Sequence, residues 1–119
     1  MNWLAIGATL MALAVGLGAF GAHGLADRVS PKDLEIWRTG AHYHMIHALA
    51  LVALSASGRA ADTQPASWLL LAGIVIFSGS LYLLVLTQQR WLGAITPIGG
   101  LAFIAAWIVV AARAAQGGS

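Results

Sequence analysis

The sequence has no cysteine, which removes disulfides, thiolate zinc sites, iron–sulfur clusters and cysteine nucleophiles together. Charge is nearly as scarce: six Lys/Arg and four Asp/Glu make 8% of 119 residues, where an ordinary soluble domain carries roughly 25%. Ten charges cannot wet the surface of a globule of this size. The surplus of +2, for all the pI near 9.7, is too small to hold nucleic acid. What fills the chain instead is apolar: 60% hydrophobic residues and a mean hydropathy of +0.83. Such a composition is stable only in a lipid bilayer.

The charges lie at Asp27, Arg28, Lys32, Asp33, Glu35, Arg38, Arg59, Asp62, Arg90 and Arg113, leaving uncharged stretches of 26, 20, 27 and 22 residues. About 20 apolar residues, at 1.5 Å each, cross a 30 Å hydrocarbon core. The runs do not alternate as barrel strands would. The reading is an all-α polytopic membrane protein, a single domain over 1–119. Its four transmembrane helices are placed at about 3–23, 39–57, 67–87 and 92–112. Six charges crowd into 27–38, where Ser30 and Pro31 form a helix start with Asp33 in the first turn. This segment predicts a short interfacial helix over about 31–38, between the first and second spans. The tail 114–119 is expected to fray. Arg28, Lys32, Arg38 and Arg90 share one side against Arg59, Arg113 and the amino terminus, which leans both termini outside the cytoplasm.

Two catalytic-looking strings fail on context. Gly16 to Gly21, GLGAFG, matches G-x-G-x-x-G in letters, but no short strand precedes it and no helix opens at its last glycine. Phe77 to Tyr82, FSGSLY, lacks the second glycine of a nucleophile elbow. Helix packing explains both better. Ala8, Ala12 and Gly16 recur every fourth residue, as do Ala14, Gly18 and Ala22, and such stripes let helices approach closely in lipid. Two stripes on one helix point to a homo-oligomer or to a place in a larger membrane complex. In ITPIGG, Thr96 is read as a cap with Pro97 at the first helical position, and Leu92–Thr96 as an irregular or kinked approach to the fourth span.

The histidines are the most pointed feature. His23 closes the first span; His42, His44 and His47 open the second. His47 lies eight residues past Thr39, about 12 Å deeper, where a polar ring needs a partner. Tyr43, one turn above, and Ser78 or Ser80 on the third helix are the partners expected. The candidate buried polar site is therefore His47, Tyr43, His23, Ser78 and Ser80, with His44, Thr39, Thr96 and Pro97 around it. No strong metal spacing exists and no cofactor is required, though imidazoles at His23, His44 and His47 leave haem or a metal chemically open.

Taken together, FGAHGL (20–25), WRTGAHYHMIHALAL (37–51), FSGSLYLL (77–84) and ITPIGGLAFIAAW (95–107) resemble the YgdD-like family of small four-helix membrane proteins. Its second-helix pattern T-x-x-x-Y-x-x-x-H falls on Thr39, Tyr43 and His47, and its GAHGL contains His23, while His42 and His44 lie outside the pattern. The resemblance implies a bacterial inner-membrane protein and brings no reaction with it. Two readings follow. One is a non-catalytic structural or accessory bundle that self-associates. The other is a histidine-centred protein that binds haem or a metal, or passes protons with a small solute.

Overall fold

The computed structural model describes residues 1–117, and within them the chain is helical with no strand. Four helices form. α1 runs Trp3–Leu25, α2 Pro31–Ala56, α3 Gln64–Thr87, and α4 Thr96–Gln116 after a tight 3₁₀ turn over Arg90–Ala94. Three of them are long and apolar enough to cross a membrane: Trp3–Leu25, Gln64–Thr87 and Arg90–Gln116. The expectation of four spans plus an interfacial helix is thus corrected. Residues 31–38 and 39–57 are not two elements, because Ser30 accepts from the Asp33 amide at 3.1 Å and the helix it starts continues to Ala56. Nor is α2 apolar enough to count as a span. Absence of charge over 39–58 is not apolarity: three imidazoles and a tyrosine occupy its first half.

After α3, the most buried of the four, the most sheltered long helix is α2. α1 packs antiparallel along one side of it and α3 along another, while α4 packs on α3. On α1, Trp3, Gly7, Leu10, Ala14, Leu17 and Gly21 are buried or half-buried at alternating steps of four and three, which makes a seam that Leu25 ends. The expected stripe of Ala8, Ala12 and Gly16 is exposed, and Gly16 has open space where a Cβ would stand. Trp3, Leu51, Leu70, Ile74, Phe103 and Ala106 build the core toward the amino-terminal end. Leu25, Trp37, Leu84, Val85 and Leu92 build a second one at the other. The bundle is 50 Å long.

Two helices widen for one turn into π geometry, at Gly21–Leu25 in α1 and Ile74–Ser78 in α3. The first has a visible cause. Trp37 drives its indole against Gly21 and donates Nε1–H to the Leu17 carbonyl at 2.8 Å, an acceptor that the Gly21 amide also uses. A side chain inserted into the ladder loosens it. At the carboxyl end, Ala114–Gln116 continue α4 rather than fray; Gly118 and Ser119 lie outside the described residues.

Candidate functional site

The predicted site residues divide into separate contacts. His47 is 5% exposed, and its Nδ1–H donates to the Tyr43 carbonyl one turn back at 2.7 Å. A carbonyl only accepts, so a neutral His47 carries its proton on Nδ1 and keeps Nε2 as the acceptor. Its ring stacks on Phe103 of α4 at 3.6 Å, with Trp107 at 5.9 Å. The partner is thus Tyr43 backbone, not the Tyr43 hydroxyl or a serine. The Tyr43 ring is itself 41% exposed, parallel to His47 at 6.0 Å and against Phe77 at 4.7 Å.

His44, three residues before His47, points elsewhere. Its Nδ1 meets the Tyr82 hydroxyl of α3 at 2.9 Å, and Tyr82 also packs on Trp37 at 4.7 Å. His44 Nε2 is buried without a hydrogen bond, the Leu10 backbone of α1 being its neighbour. Ser78 donates to the Gly40 carbonyl at 2.7 Å, fully buried, and ties α3 to α2. Gly40 permits this approach, since a Cβ there would lie 3.2 Å from the Tyr82 ring. Ser80 and Thr96 share a hydrogen bond of 2.6 Å between α3 and α4. Thr96 is therefore a cross-helix fastener and not the cap of α4, while Pro97 is exposed in that helix's first turn. Thr39 bonds the Glu35 carbonyl within α2 at 3.0 Å. His23 is exposed in the last turn of α1 and joins none of these contacts.

The strongest polar constellation lies where sequence reasoning placed no site. Asp33, 4% exposed, accepts from Arg90 at 2.8 and 3.2 Å and from Gln88 Nε2 at 2.9 Å, and Arg90 also donates to Gln88 Oε1 at 2.7 Å. Arg90 and Gln88, through hydrogen bonds that favour the anion, hold the Asp33 carboxyl below its usual range. Gln88 adopts the left-handed conformation at φ 60, where glycine is the common choice. A glycine would lack the amide that reaches both Asp33 and the Val85 carbonyl. The signal was present in the sequence: one arginine in the short polar stretch Gln88–Arg90 after an apolar helix, and one acid in the first turn of α2. Among the described residues, no three His or carboxylate side chains converge on a point that could hold a metal ion.

A family described as protein of unknown function, DUF423, matches residues 17–100. The membrane protein YwdK of Bacillus subtilis, a UPF0382 protein, is 50% identical over 119 residues, covering 96% of each chain. UPF0382 membrane proteins of Staphylococcus haemolyticus and Staphylococcus epidermidis are 48% and 50% identical over 110 residues, covering 91% of this chain and 90% of theirs. The chain belongs to this family. Members are bacterial membrane proteins whose biochemical role is unknown, and the three apolar helices agree with that location. No solved structure matches the chain.

Proposed function

We propose that the protein is a non-catalytic structural or accessory unit of the bacterial inner membrane, YgdD-like in kind, which self-associates or attaches to a larger complex. The observation that carries this reading is where its polar side chains are spent. Ser78 on the Gly40 carbonyl, Ser80 on Thr96, Trp37 on the Leu17 carbonyl and Asp33 on Arg90 each join one helix or link to another. Groups committed to such bonds brace a bundle, at on the order of 0.6–2 kcal/mol each in lipid. In this reading His47 is a brace within α2, locked by its stack on Phe103, and no cofactor is needed. The exposed Ala8–Ala12–Gly16 face of α1 is the surface through which a second copy or a partner helix would pack.

The deciding experiment compares wild type with His47→Gln and Tyr43→Phe. Purified in detergent, all three should show no Soret band and no stoichiometric metal, and the variants should differ from wild type only in melting temperature. A haem or metal signal in wild type that His47→Gln abolishes would overturn the reading in favour of a histidine-centred site.

A further inference from the structure

Where three apolar helices end, the surface opens into a cleft of about 530 Å³. Leu25 closes α1, Val85 and Leu86 end α3, and Arg90 begins the last span, so the cleft lies at the headgroup level of any bilayer these helices cross. Its walls are of two kinds. Leu25, Val29, Val85 and Leu86 supply apolar surface, and Leu86 is 57% exposed. Arg28, Asp33, Gln88 and Arg90 supply the polar part.

The charges there are unequal. Asp33 is neutralised by Arg90 in a two-pronged pair, which leaves Arg28 without an ion pair among the described residues. Two arginines against one carboxylate make the cleft +1. Arg90 is also held in place by Gln88, with its Nε–H and one Nη1–H still free to donate. At the start of α2, Pro31 has no amide hydrogen and the Asp33 amide is taken by Ser30, so two of its first three positions offer an anion no backbone donor. An amphipathic cleft at the membrane surface, one positive charge in excess, with guanidinium donors that suit phosphate oxygens, matches one chemical class.

We propose that this cleft binds the phosphodiester of an anionic phospholipid, with Arg28 as the charge-bearing contact, Arg90 as a fixed donor, and an acyl chain along Leu86 and Val29. A zwitterionic headgroup would bring its own cation beside Arg28. The inference does not depend on the bundle being non-catalytic.

The test is lipid titration of the detergent-purified full chain, read by native mass spectrometry and melting temperature. Phosphatidylglycerol should bind and raise the melting point well above phosphatidylcholine. Arg28→Gln should weaken phosphatidylglycerol about tenfold, the scale of one charge-assisted hydrogen bond. Arg28→Lys keeps the charge and should retain most of the binding, and Arg113→Gln at the opposite end should leave it unchanged. Equal effects of the two lipids, or an indifferent Arg28→Gln variant, would overturn the proposal. Inorganic phosphate alone matching phosphatidylglycerol would also overturn it, and would assign the cleft to a free anion.

Discussion

The two helix hairpins close to different degrees. Between α1 and α2 Trp37 settles over Gly21, and a Gly7 Cβ would stand 2.9 Å from Val52 Cγ2 and 3.0 Å from the Val52 amide nitrogen. Between α3 and α4 a Gly99 Cβ would stand 2.8 Å from the Phe77 Cα and closer still to its amide nitrogen. A side chain can rotate away from an intruding methyl, but a backbone can only move its whole helix. α3 is also held between α2 and α4, while α1 touches chiefly α2 and leaves a face open. The second hairpin is therefore the rigid one, and the first has room on its outer side.

The sharpest way to break this contrast is Gly99→Val. The two helices must separate, at a cost of about 3 kcal/mol or more. We expect loss of the monodisperse peak in size-exclusion chromatography; an intact peak with an unchanged melting point would show that the α3–α4 seam is not tight. Gly21→Ala comes next, displacing the indole and its bond to Leu17, at about 1–2 kcal/mol. It should lower the melting point and shift tryptophan emission, whereas Trp37→Phe in the same background should add little further loss. Asp33→Asn acts at the far end of both hairpins and is read by pH. Because the folded state lowers the Asp33 carboxyl from its usual 3.8, its contribution is complete above that value and fades as pH falls below it. Wild type should lose its advantage over Asp33→Asn under acid; a difference that stays constant down to pH 2 or so would mean the carboxylate charge is irrelevant. Gly16→Ala, on the open face of α1, should change stability by no more than about 0.5 kcal/mol. Should it abolish chemical crosslinking between copies in membranes, the open face is an interface.

Composition carried the class of this chain almost alone, since ten charges in 119 residues admit no water-wetted fold. The turns were legible too: Ser30-Pro31 marks a helix start by its own local chemistry. The number of spans was not. Counting charges treats His42, Tyr43, His44 and His47 as lipid-like, when His44 and His47 are buried polar rings that other helices cover and only His42 and Tyr43 stand exposed. Nor could spacing say which neighbour each histidine meets. His44 and His47 lie on one face by the i,i+3 rule, yet one meets Tyr82 of α3 and the other lies on Phe103 of α4. That divergence depends on where three helices cross. The pairing of Asp33 with Gln88 and Arg90 depends on the same crossing, since they stand 55 and 57 residues apart.

The widened turn at Ile74–Ser78 bears on how this chain tolerates changes in length. A π turn carries one residue more than an α turn. Upstream, Ala66, Leu70 and Gly73 face inward; downstream, Leu81 and Leu84 do, and the widened turn lets Ser78 join them on the α2 side while Phe77 lies against Gly99 of α4. Removing one residue elsewhere in α3 would rotate everything after it by about 100° and turn its buried face outward. Removing one inside 74–78 only tightens the turn back to α geometry, leaving both halves in phase. This short segment is where the helix can lose a residue and still keep Leu81 and Leu84 facing the core.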